Sequence, residues 1–212
     1  MEAAEETGLI VLIDKWVSWQ ACRQICQWQC RYPFVKPLSV TVNISGLHVT
    51  SMHLVPEIKA RIRDTGIEPS RLQLEVGETI VTANPEVTCS ALAQLSRLGV
   101  GTTIDGFGTG RVRLMGLRRF PVDTLKIDQS LINHLLSDRV SQDAVELILT
   151  LAVKLNQKRC GGRRKGRPGR AVEGLGRQIR AGLLFFAAPR AAQADDLIRE
   201  QSLSARTMRS RV

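Results

Sequence analysis

Residues 101–110 read Gly-Thr-Thr-Ile-Asp-Gly-Phe-Gly-Thr-Gly, a short β-branched run that ends on an aspartate and opens at once into a glycine-rich turn. Its composition predicts a strand over Gly101–Asp105. Working outward, similar runs predict strands over Leu38–Ser45, Leu72–Gly77 and Thr124–Asp128. Apolar residues at helical spacing predict helices over Leu9–Gln29, Val55–Thr65, Pro85–Leu98 and Gln142–Leu155. Gly66, Gly99 and Gly116 fall near element ends, where helix stops and turns use glycine. Short strands alternating with longer amphipathic helices predict a parallel α/β sheet.

All four strands carry a polar residue between apolar neighbours near the C-terminal end: Asn43, Glu75, Asp105 and Lys126. Side chains alternate along a strand, so in a parallel barrel these four would point inward at the C-terminal mouth. Asn, Glu and Asp offer oxygen donors suited to Mg²⁺ or Mn²⁺, and Lys suits a phosphate or a metal-bound water. A single polar residue at a strand end is ordinarily a loop hydrogen-bonder. Four in one phase on consecutive strands predict a site.

The chain has 212 residues, enough for one globular domain, with 43% hydrophobic and 24% charged residues. No run of about 20 apolar residues occurs, and the start of the chain is acidic rather than basic and apolar. The five cysteines lack C-x-x-C spacing, which argues against a disulfide framework or a zinc ribbon. These features predict a soluble, cytoplasmic chain without a membrane segment. Cys22, Cys26 and Cys30 share one helical face with aromatic neighbours and read as small core residues. His48, His53 and His134 show no metal spacing and read as surface or capping residues. The formal charge of +10 is uneven: residues 1–158 hold 17 basic and 16 acidic side chains, residues 159–212 hold 13 and 4. That basic tail has no interleaved aromatics, so a specific nucleic-acid role is not expected.

The ordered set VTVNIS, LQLEVGE, TTIDGFGTG and VDTLKID, preceded by AEETGLIVLIDKWVSWQAC from Ala4, is similar to the EAL-type cyclic di-GMP phosphodiesterase family over residues 4–155. The resemblance implies an incomplete (β/α)8 TIM-type barrel lacking its first strands, with a disrupted C-terminal part. It also implies two-cation hydrolysis of cyclic di-GMP to linear pGpG by a metal-activated water. Asn43, Glu75 and Asp105 would be metal ligands, and Lys126 would orient or assist the nucleophile. Glu78, the second acid of the E-x-x-E pair, would brace the loop Phe107-Gly108-Thr109-Gly110. Implied partners are Mg²⁺ or Mn²⁺ and cyclic di-GMP, with a second copy of the chain or upstream signalling domains left open.

Four departures from the family pattern bear on chemistry. The chain begins after the E-A-L strand. The D-D-F-G motif reads Asp105-Gly106-Phe107-Gly108, which removes a ligand of the second cation. Arg111 and Arg113 stand in the loop behind it. Finally, residues 159–170 read RCGGRRKGRPGR where a strand ending in A-E-G-V-E is due. Permitted codons for Cys160–Gly169, read one base later, spell A-A-E-G-V-K-A-G-Q, so a frameshift is compatible. The expected organisation is therefore a partial barrel over 1–158, a basic irregular segment over 159–181, and a residual last strand and C-terminal helix or tail over 182–212, where GLLFFAAP resumes the pattern. Hydrolysis is expected to be lost, which leaves a non-catalytic binding or interaction module or a decayed gene product as the other readings.

Overall fold

The computed structural model describes residues 2–33, 37–108, 119–134, 137–154, 159–162, 194–196 and 198–199. Two helices open the chain, α1 (Glu2–Glu6) and α2 (Leu9–Arg31), and β1 (Val40–Asn43) follows. Next come α3 (Gly46–Val49), α4 (Leu54–Thr65) and β2 (Leu72–Gly77), then α5 (Glu78–Ala83), α6 (Pro85–Arg97) and β3 (Gly101–Phe107). The described order closes with β4 (Thr124–Ile127), α7 (Gln129–His134), α8 (Arg139–Lys154) and β5 (Arg159–Gly162), with the short C-terminal pieces beyond it.

The five strands form one sheet in chain order, β1-β2-β3-β4-β5, and every pair is parallel. Chain order without a reversal is the winding of a barrel rather than of a doubly wound sheet. Among the described residues β1 and β5 are each paired on one side only, so this part of the barrel is open. The main core unites Val42, Leu74, Ile104 and Leu125 from the strands with Ile58, Leu92 and Leu95 from the helices.

Local chemistry sets the element ends. Helix α4 stops at Gly66, whose φ of 68° is left-handed and whose N–H donates to the Ile62 carbonyl at 3.0 Å. Pro85 opens α6, where its missing N–H is harmless. Asp138 caps α8 by accepting from the Ser141 amide and hydroxyl at 2.9 and 2.6 Å, which starts that helix three residues before the predicted Gln142.

The structure corrects several sequence expectations. The short helices α3, α5 and α7 were not anticipated, because four to six residues are too few to show a period. Strand β1 is shorter than Leu38–Ser45; at the ends of that run side chains take the amides, Leu38 N–H donating to Gln29 and Ser45 N–H to Asp14. Arg159–Gly162, expected to be irregular, pairs with β4 as β5, since the ladder is made by backbone groups and needs no apolar pattern. Residues 163–181, the apolar run 182–189, and Arg111 and Arg113 lie outside the described residues.

Helix α2 also departs from expectation. Cys22 is buried, but Cys26 is only partly buried and Cys30 is exposed. Trp16 is 62% exposed and Leu12 59%, on the side opposite Ile10, Asp14, Ser18 and Cys22. An apolar residue set on all sides of a helix does not reveal which side meets the sheet. His48, expected at the surface, is 1% exposed, because α3 turns it in between α2 and α4.

Candidate functional site at the C-terminal ends of the strands

The parallel register brings the four predicted residues onto one face of the sheet. Asn43 is opposite Glu75, and Glu75 is opposite Thr103, which lies two residues before Asp105. Thr124 is opposite Thr103, so Lys126 follows in the same phase. Asn43, Glu75 and Asp105 line one cavity of about 620 Å³, together with Asp14, Ser45 and Gly77. Lys126 joins them through Glu75, whose carboxylate accepts from its ammonium.

A bulge helps to aim Asp105. The β3–β4 register shifts between Ile104 and Phe107, at a point where Gly106 takes a φ of 69°. The next glycine, Gly108, has φ 106°, and a β-carbon there would lie 2.6 Å from Leu131 Cδ1. A side chain there would have to push aside the ends of Leu131 and Ile148 and adopt a φ that favours glycine.

Glu75 is 3% exposed, and Asn43 is exposed at the open side. Burial raises the Glu75 carboxyl above its ordinary range; Lys126 opposes this, and the nearby Asp105 adds to it. Ionised Glu75 is stabilised less in the fold than in the unfolded chain, so its favourable contribution belongs to low pH and fades as pH rises through the raised value. A hard cation needs the carboxylate and competes with the proton. Affinity for a Mn²⁺ ion held through Glu75 would therefore fall by up to about tenfold per pH unit as pH drops through the raised Glu75 value, which a series of Mn²⁺ titrations over pH would measure. A pH-independent affinity would contradict the assignment of Glu75 as a ligand.

Glu78 begins α5 directly after β2 and is 4% exposed. Part of the loop it is expected to brace, Thr109 and Gly110, lies outside the described residues. Three other groups, Asp14, His48 and Asp128, carried no sequence signal for a role at this end of the sheet. Asp14 was visible as a lone acid in an apolar helix, and it binds Ser45. His48 gave no signal beyond its residue type. Asp128 caps α7 by accepting from the Ser130 amide at 2.8 Å, while its Oδ2 lies 3.6 Å from where a Gly106 β-carbon would be.

Among the described residues no cluster of three or more His, Cys, Asp or Glu side chains could hold a metal ion. The candidate set is two carboxylates and a carboxamide. Three oxygen donors in an open cavity fit one hard cation that keeps several waters, as Mg²⁺ ordinarily does.

The fold and site define a class: a parallel barrel-type α/β domain with a carboxylate and lysine site at the C-terminal ends of its strands. The chain belongs to the EAL domain family, whose sequence profile matches residues 1–160. It is 39% identical over 155 residues to the bifunctional diguanylate cyclase/cyclic di-GMP phosphodiesterase MucR of Pseudomonas aeruginosa, covering 73% of this chain and 22% of that protein. It is 33% identical over 153 residues to the cyclic di-GMP phosphodiesterase PdeR of Escherichia coli, covering 72% and 23%. The chain thus spans about a fifth of the length of these curated relatives. The solved PaMucR phosphodiesterase in complex with c-di-GMP superposes with a TM-score of 0.73 at 35% identity, over 82% of this chain and 74% of that one. The incomplete barrel expected from the motifs agrees with this likeness. No helix among the described residues is long and apolar enough to cross a membrane.

Proposed function

We propose that this chain carries a cyclic di-GMP site of the phosphodiesterase type that holds one divalent cation, Mg²⁺ or Mn²⁺, and is impaired in hydrolysis to linear pGpG. The observation that carries the reading is the convergence of Asn43, Glu75 and Asp105 on one cavity, with Lys126 paired to Glu75. Its ligand would be the intracellular dinucleotide, which suits a cytoplasmic chain.

Asn43, Glu75 and Asp105 would hold the cation, which when bound supplies charge neutralisation at a phosphate and a more acidic water. Glu75, buried and raised by its surroundings, would gain from the cation a second positive partner beside Lys126. Lys126 keeps its ammonium at the carboxylate and orients a water or phosphate oxygen beside it. Glu78, at the start of α5, would brace the turn after β3. The impairment is assigned to Gly106, which offers no oxygen where the family motif has a second acid.

Calorimetric titration of cyclic di-GMP into the protein with Mn²⁺, followed by chromatography of the nucleotide, tests the proposal. Binding with no release of pGpG is expected. Turnover that disappears in Glu75→Ala would overturn the impaired reading, and absence of both binding and turnover would overturn the ligand assignment.

A further inference from the structure

We infer that Asp14 is a positioning residue for the Asn43 side of the site, acting through Ser45. The functional consequence rests on the cyclic di-GMP reading above. The geometry does not.

Asp14 lies on α2 and is 6% exposed. Its Oδ2 accepts two hydrogen bonds from one residue, the Ser45 amide at 2.8 Å and the Ser45 hydroxyl at 2.6 Å. Bonds to a carboxylate are among the stronger ones, and both here end on a single oxygen. The same Ser45 hydroxyl accepts from the His48 amide at 3.3 Å and so opens α3. The serine thereby joins three elements: helix α2, the end of β1 and the start of α3.

Ser45 follows Asn43 by two residues, and Asn43 ends a four-residue strand paired on one side among the described residues. The end of a short edge strand frays readily. Two ties oppose this: Ile44 N–H donates to the Glu75 carbonyl at 2.9 Å, and Ser45 is held by Asp14. The first sets the strand against β2. The second sets the turn against α2 and hence the angle at which Asn43 leaves the strand. Asp14 and Ser45 line the same cavity as Asn43, Glu75 and Asp105.

The surroundings keep Asp14 an acceptor. Burial alone would raise its carboxyl, but the His48 ring and the Ser45 hydroxyl and amide outweigh burial and hold it below the usual range. His48 is itself anchored on its far side, with Nε2 3.1 Å from Glu57 Oε2. Glu57 in turn binds Lys15 at 2.6 Å and lies 3.9 Å from Arg61. Asp14 thus lies 3.5 Å from His48 Nδ1, beside a partly buried chain of polar groups between α2 and α4, and cannot swing away without leaving the Ser45 amide and hydroxyl unsatisfied.

The test compares Asp14→Ala with Asp14→Asn, whose side-chain oxygen can still take both bonds from Ser45. Mn²⁺ affinity is measured by calorimetry, and Ser45 amide exchange by NMR without metal, on samples matched by circular dichroism. In Asp14→Ala, affinity is expected to fall and exchange to quicken by at least about tenfold, with Asp14→Asn within about threefold of wild type on both. An unchanged affinity in folded Asp14→Ala, or equal losses in both variants, overturns the proposal. If Asp14→Ala does not fold, Ser45→Ala replaces it: about threefold weaker Mn²⁺ binding with faster exchange around residue 45 is expected, and no change in either overturns it. If the wild type itself takes no Mn²⁺, the cyclic di-GMP reading fails, and the positioning proposal is judged on amide exchange in the same variants.

Discussion

Glu75→Ala is expected to abolish measurable Mn²⁺ binding and to weaken cyclic di-GMP binding by about a hundredfold, a change of roughly 2.7 kcal/mol. The reasoning starts from burial: Glu75 is 3% exposed, so its oxygens meet almost no bulk water and are committed to their neighbours. Those neighbours are Lys126, which donates to it, and Asp105, which stands close enough to raise it. Without Glu75 the candidate ligand set keeps one carboxylate, Asp105, and one exposed carboxamide, Asn43. Two donors hold a strongly hydrated cation poorly. The ammonium of Lys126 would also lose the carboxylate that balances it, and a cation arriving there meets that positive charge. Lys126 is 20% exposed and so retains water, and the fold should survive. Calorimetry with Mn²⁺ and then cyclic di-GMP measures the loss, and an affinity within about threefold of wild type would remove Glu75 from the site.

The second large effect runs in the opposite direction. Gly106→Asp is expected to add a second equivalent of bound Mn²⁺. Gly106 has φ 69°, in the left-handed region where an L-residue loses roughly 1–2 kcal/mol, and aspartate is among the residues that tolerate it best. Its β-carbon would lie 3.6 Å from Asp128 Oδ2 without a backbone clash. The new carboxylate would then stand next to both Asp105 and Asp128. Three acids so close repel one another, so the variant should melt below wild type in chelator and recover when Mn²⁺ is added. Calorimetric stoichiometry and melting curves with and without Mn²⁺ check this. A stoichiometry that stays at one would show that the site cannot be completed at position 106, and the impairment would then have to lie elsewhere.

Strand-by-strand reading was accurate where the signal was local. Leu72–Gly77 was placed at both ends, and Gly101–Asp105 fell short by two residues because the bulge at Gly106 carries the strand on to Phe107. The candidate residues were legible because each sits between two apolar neighbours on a strand, so period-two alternation alone put them in phase. Glycine at 106 was legible as a departure from the family's D-D-F-G motif. Its left-handed backbone and its nearness to Asp128 were not.

What the sequence by itself determined is the order of the first four strands and the four longer helices, and the common phase of Asn43, Glu75, Asp105 and Lys126. Both follow from alternation, turn residues and caps, which act over a few neighbouring residues. Only the tertiary structure decided that Lys126 meets Glu75 across 51 positions and that Asp14 meets Ser45 across 31. The tertiary structure also buried His48 and left Trp16 exposed, and it made a strand of Arg159–Gly162. Such contacts depend on which surfaces the folded backbone brings together, and a chain reveals little of that from residues that are distant along it.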